Sequence, residues 1–160
     1  MIYFLEILGV ACFAVSGVAA SRSKRPDLVG AIAAMRLPAV IQRFGSTLRI
    51  ADAFGLGLFN AAGTIKALAS GAIDPAFAIV LGAITGAGGG VIRDVLCNEM
   101  PSLLRPGELY ITTCLVGGLA GLVAHWLGAS MDVAGAVIAT VTIAFRLLSI
   151  RFEWRLSALD

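Results

Sequence analysis

The sequence predicts an all-α, polytopic membrane helix bundle built on an inverted repeat, with one helix broken at a glycine-rich motif. Three observations carry this. Hydrophobic residues make up 59% of the 160 residues and charged ones only 14%, where a soluble domain carries roughly a quarter charged. The mean hydropathy is +0.94, and the 19 glycines fit membrane helices, in which Gly is common. Apolar runs of about 20 residues, the length that crosses a bilayer as helix, recur without the period-2 alternation of a barrel strand.

The first run, Ile2–Ala20, has Glu6 near its start and its basic residues after the apolar stretch. That order is the reverse of a signal peptide and reads as a retained first helix. Residues 21–49 are apolar only over Leu28–Met35 and are interrupted by Arg36, Pro38 and Arg43. Eight residues span only about 12 Å as helix, so this piece is expected to dip into the membrane and return. Four further spans follow at Ile50–Ala69, Pro75–Cys97, Leu109–Leu127 and Met131–Ile150.

Charge placement predicts orientation. Arg22, Lys24, Arg25, Arg43, Arg49, Arg105, Arg151 and Arg155 fall in segments on one side, while "SGAIDP" and "GASMD" contain Asp and no Lys or Arg. The positive-inside rule then puts the N-terminus outside and the C-terminus in the cytoplasm, with five crossings. "EILGVACFAVSG" (Glu6–Gly17) matches "DAFGLGLFNAAG" (Asp52–Gly63) at an offset of 46. One copy enters from each side, which makes the pair an inverted repeat, an architecture of transporters and channels. The chain divides into a shortened first repeat (1–49), a second repeat (50–128), and a final helix with a cytoplasmic tail (129–160).

Several function classes are excluded. The net charge of +2 gives no nucleic-acid surface. Cys12, Cys97 and Cys114 lack metal-ligand or disulfide spacing. His125, beside Trp126 near an outer helix end, has no carboxylate or Cys at ligand spacing, so it reads as interfacial. No nucleophile, base and orienting acid occur together. The sequence thus predicts no enzyme, no catalytic residue, no metal site and no cofactor.

"GAITGAGGGVIRD" (Gly82–Asp94) is the most informative stretch. A dinucleotide fingerprint would need Gly at position 91, which is Val91, and no P-loop Gly-Lys-Ser/Thr is present. Gly88 lies about 20 Å along a helix that starts at Pro75, inside a hydrocarbon core of about 30 Å. Gly86 and the triplet Gly88, Gly89 and Gly90 are expected to break the helix there and free carbonyls that replace part of a cation's hydration shell. Arg93 and Asp94 are expected to bond to each other or to Asp52. Small-x-x-x-small faces at Gly82/Gly86 and Gly117/Gly121 are also packing surfaces.

"ADAFGLGLFNAAGTIKAL", "LGAITGAGGGVIRDVLCNEMPSLLR", "ELYITT" and "FRLLSIRF" together closely resemble the bacterial members of the trimeric intracellular cation (TRIC) channel family. The resemblance is continuous over Ile50–Phe152 and weaker over Phe4–Ala34. It implies two inverted three-helix repeats plus a seventh helix. It also implies a homotrimer in a bacterial inner membrane, each protomer with its own pore near glycine-bent helices.

The first repeat departs from that pattern. The second copy runs about 76 residues to Leu127, yet only 46 separate the two starts, a shortfall of about one helix and a loop. The glycine triplet and Arg-Asp expected after "DLVGAIAAM" are absent, as an internal deletion would leave them. Further candidates for pore lining or gating are Ser16, Thr64, Thr85 and Lys66, alongside Arg93 and Asp94. Ser and Thr also bond their own helix carbonyls, and Lys66 and Arg146 can snorkel to an interface. Three readings follow: a monovalent-cation channel with K+ as permeant ion, a carrier of a small neutral solute such as glycine, or a chain that inserts and carries nothing.

Overall fold

The computed structural model describes residues 3–4, 6–12, 45–96, 100–104 and 109–152. Residues 6–12 are helical. Four longer helices follow: α1 (Gly45–Ala69), α2 (Pro75–Leu96), α3 (Tyr110–Trp126) and α4 (Met131–Arg151), with a 3-10 turn at Ser102–Leu104 between α2 and α3. The re-entrant Leu28–Met35 piece, Ser16 and Cys97 lie outside the described residues.

Local chemistry sets the helix ends. Pro75 opens α2, where its fixed φ suits the first helical position, and the Asp74 carboxylate accepts from the Ala76 N–H at 2.8 Å. Gly128, at φ +93°, stops α3. Its N–H donates to His125 O and the Ala129 N–H donates to Ala124 O, both at 3.0 Å, the two bonds of a Schellman end. The His125 ring closes over the same turn, with Nδ1 3.0 Å from Ala129 O, and the adjacent Trp126 is exposed. Ser130 caps α4 through Val133 N–H, and Asp132 stands in its first turn, a favourable place for a negative charge.

α1 is the central element. It packs on α2 and α4 and reaches α3, while α3 closes the bundle against α2 and α4. The interior is built from small residues and polar groups: Ala53, Ala61, Ala62, Ala78, Ala83, Ala87 and Ala134 are buried. Phe77, Ile84, Ile92, Val95, Leu119 and Trp126 point outward instead. A soluble bundle has the opposite arrangement. Where the surroundings are as apolar as the side chains, large residues gain little inside, and close backbone approach decides the packing.

Among the described residues, two helices are long and apolar enough to cross a membrane, Pro75–Val95 and Met131–Arg151. α3 is shorter at 17 residues, and α1 carries Asp52, Asn60 and Thr64 on its buried side.

One expectation is corrected. α2 is continuous from Pro75 to Leu96, so the helix is not broken at Gly86, Gly88, Gly89 and Gly90. Among the described glycines only Gly71 and Gly128 take positive φ. The reason is external support. Gly82, Gly86 and Gly90 recur every four residues and seat α2 directly on α1. A methyl at Gly86 would lie 2.8 Å from Leu56 O, and one at Gly90 would lie 3.1 Å from Asp52 Oδ1. Nothing stands within 4 Å of such a methyl at Gly88.

This geometry separates the glycines by experiment. Gly86→Ala should lower stability by about 1–3 kcal/mol through overpacking against backbone. Gly88→Ala should be neutral, or stabilising by up to about 1 kcal/mol from helix propensity. Thermal unfolding of the two purified variants in detergent checks the order. The reverse order would return the triplet to a role in bending.

Candidate functional site

The buried face of α1 is a polar ladder. Asp52, Leu56, Asn60 and Thr64 follow one another at intervals of four residues, all buried, over about 18 Å of helix. Opposite them run the α2 glycines in antiparallel order: Gly90 at Asp52, Gly86 at Leu56 and Asn60, and Gly82 at Asn60 and Thr64.

At one end the ladder finishes in a buried ionic cluster. Arg93 Nη1 donates to Asp52 Oδ1 at 2.7 Å. Its Nε and Nη2 reach Asp94 Oδ1 at 2.8 and 2.7 Å. Asp94 Oδ2 accepts from the Ser102 N–H at 2.8 Å and from Ser102 Oγ at 3.1 Å, which ties the 3-10 turn to the end of α2. Asp52, Arg93 and Asp94 are only 3%, 8% and 5% exposed. Arg93 and Asp94 are expected to bond to each other or to Asp52, and Arg93 bonds to both carboxylates.

Two residues of this region were not legible as members. Arg146 was expected to snorkel from the end of α4. It is 3% exposed, and its guanidinium lies 4.7 Å from the centroid of the Tyr110 ring. Stacking on an aromatic face offsets part of the loss of water. Tyr110 is itself buried, with its hydroxyl beside Asp52. The region therefore holds two carboxylates and two guanidinium groups, a balanced set.

Midway along the ladder Asn60 joins all four helices. Its Nδ2 donates to Cys114 O on α3 and to Thr142 Oγ1 on α4, each at 3.0 Å. Its Oδ1 faces Gly82 on α2. A carbonyl only accepts, so the Cys114 contact by itself fixes which end of the amide points to α3. Asn60 and Thr142 escaped the sequence reading because an isolated amide in an apolar run carries no spacing signal. Thr64 is fully buried beside Asn60, whereas Thr85 is exposed and donates to Leu81 O of its own helix at 2.7 Å. Of the two hydroxyls, Thr64 is in the interior and Thr85 is satisfied locally.

The other end of α1 carries Lys66, which pairs with Glu6 and lies 5.7 Å from the centroid of the Tyr3 ring. The pair is partly exposed and holds the N-terminal helical stretch against α1. Gly9 adds to that contact, for a methyl there would meet the Phe59 ring.

Arg93→Gln should destabilise the protein by about 3–5 kcal/mol, because it takes from Asp52 and Asp94 the guanidinium that bonds to both and leaves the buried cluster one positive charge short. Adding Asp52→Asn should recover a measurable part of that loss. The double-mutant cycle, read by thermal unfolding, gives the coupling; strict additivity would mean that the two side chains do not interact.

The family model described as glycine transporter matches residues 49–126, which include α2, most of α1 and α3. The UPF0126 inner membrane protein YadS of Escherichia coli K12 is 31% identical over 198 aligned positions, covering 98% of this chain and 95% of that protein. Those positions exceed the 160 residues of this chain by 38, so the relative has internal residues that this chain lacks. A solved TRIC cation channel superposes with a TM-score of 0.81 at 27% identity, covering 98% of this chain and 96% of that one. The TRIC trimeric intracellular cation channel orthologue from Rhodobacter sphaeroides gives 0.79 at 23% identity, with coverages of 95% and 98%. A small-residue interior, an outward apolar surface and these similarities agree: the chain is a membrane protein of the UPF0126 family with the fold of the TRIC channels.

Proposed function

We propose that the chain conducts monovalent cations across the membrane, K+ above all, along the polar ladder of α1 within each protomer. The observation that supports this most is the buried Asp52–Asn60–Thr64 face. Polar side chains inside a membrane are rare and tend to mark ion and substrate pathways. Likeness to a solved TRIC cation channel adds weight. In this reading Arg93, held by Asp52 and Asp94, and Lys66, held by Glu6, are the charges that set access at the two ends. The path runs between α1 and the glycine face of α2, with oxygens of Asn60 and Thr64 at its centre. The N-terminus lies outside and the C-terminus in the cytoplasm, and three copies assemble, as in the trimeric relative.

Residues missing relative to YadS fall, in this reading, in the shortened first repeat. The second repeat then carries the path without an equivalent glycine face opposite it. A second reading, a carrier for glycine or a similar small neutral solute, has one observation in its favour: the glycine transporter model matches much of the described bundle.

The test is K+ flux into proteoliposomes that hold the purified protein, with labelled glycine uptake in parallel. The channel reading expects rapid flux that does not saturate with K+. Saturable glycine uptake without K+ flux would replace it with the carrier. Silence in both would mean that the missing residues belong to the pathway.

A further inference from the structure

Asn60 and Thr64 are one helical turn apart and fully buried, and each keeps a side-chain oxygen without a hydrogen-bond partner, Asn60 Oδ1 and Thr64 Oγ1. Leaving a buried acceptor unpaired costs about 1–3 kcal/mol, so two neighbouring cases call for a reason. The oxygens share a direction. The position that a Cβ on Gly82 would take lies 2.8 Å from Asn60 O and 2.9 Å from Asn60 Oδ1, and it overlaps Thr64 Oγ1. Three acceptors therefore surround one point. The donor end of the Asn60 amide is committed elsewhere, to Cys114 O and Thr142 Oγ1.

Acceptors gathered around a point have the polarity of a cation's ligand shell. All three here are neutral, and the nearest carboxylate along α1, Asp52, is two turns from Asn60. Hard divalent ions recruit carboxylates, so the point suits a single positive charge. We propose that Asn60 O, Asn60 Oδ1 and Thr64 Oγ1 form a binding site for a monovalent cationic centre, an alkali ion or a primary ammonium group, opened when α2 draws back from α1 at Gly82. The Gly82 backbone covers the oxygens in the packed form, and a helix shift of about 1–2 Å, within the ordinary range of switching helices, uncovers them. Gly82 is the residue that allows this, because any side chain would fill the point. The inference rests on the cation-path reading and names the station where the passing charge exchanges water for protein oxygens. It also joins the two transport readings, since K+ and the ammonium group of glycine make the same demand.

The experiment uses the purified full chain in nanodiscs. Thermal unfolding is followed at constant ionic strength in KCl, methylammonium chloride, CaCl2 or tetraethylammonium chloride, with and without glycine. Wild type and Thr64→Ser should be stabilised, relative to tetraethylammonium, by KCl or by methylammonium. Thr64→Val, which keeps the shape and removes the oxygen, should need at least about tenfold more cation for the same shift. Gly82→Ala, with a methyl at the point itself, should lose the shift as well. Stabilisation by KCl identifies an alkali ion, and stabilisation by methylammonium and glycine without KCl identifies an ammonium group. No shift in wild type, an undiminished shift in Thr64→Val, or an equal shift with CaCl2 overturns the proposal. Flux measured on the same preparations separates the two claims. Thr64-dependent binding without flux keeps the site and removes the path, while flux without binding removes the site alone.

Discussion

The structure depends first on how a membrane-embedded bundle holds four charges. Arg93 sits between Asp52 of α1 and Asp94 of its own helix, and Asp94 in turn anchors the 3-10 turn through Ser102. A buried guanidinium with five donors in a planar fork can serve two carboxylates at once, which a lysine cannot do with the same geometry. Removing either partner leaves a charge in low dielectric, so α1, α2 and the turn after α2 are held in register together. Arg146 and Tyr110 bring α3 and α4 to the same end through a ring contact.

Once that end is fixed, the rest of the α1–α2 interface follows from spacing. Asp52, Leu56, Asn60 and Thr64 run up one helix at the interval that Gly90, Gly86 and Gly82 run down the other. Antiparallel helices in register at one end remain in register for several turns. The glycines let the backbones approach closely enough for polar side chains to lie against peptide groups rather than lipid. Glycine in α2 thus trades helix propensity, about 1 kcal/mol per residue, for close packing.

Asn60 is the second point at which the bundle is specified. A single amide that bonds to α3 and α4 while facing α2 orients three helices around α1, in the way that buried polar residues act as glue between membrane helices. Its unpaired oxygen and that of Thr64 are where packing has been left polar without being fully satisfied. That combination, specific on the donor side and open on the acceptor side, is what the proposed cation site rests on.

Sequence by itself determined the elements and some of their partners. Runs of apolar residues located α1–α4 to within a few positions, because the period of an apolar face and the turn chemistry of Pro75 and Gly128 are local properties. Asp52, a carboxylate in an apolar run, was legible as a possible partner for Arg93 and Asp94, since a charge in an apolar run must find an opposite one. Tertiary structure alone decided the rest. Three adjacent glycines read locally as a break, yet α2 is continuous, because a neighbouring helix braces it at four-residue intervals. Arg146 read as a snorkelling side chain, yet it is buried, because a Tyr110 ring from another helix receives it. Asn60 and Thr142 meet across 82 positions of sequence, a distance over which no local pattern carries information. Position along a helix is written in the chain, but what lies across the interface is decided only when the helices meet.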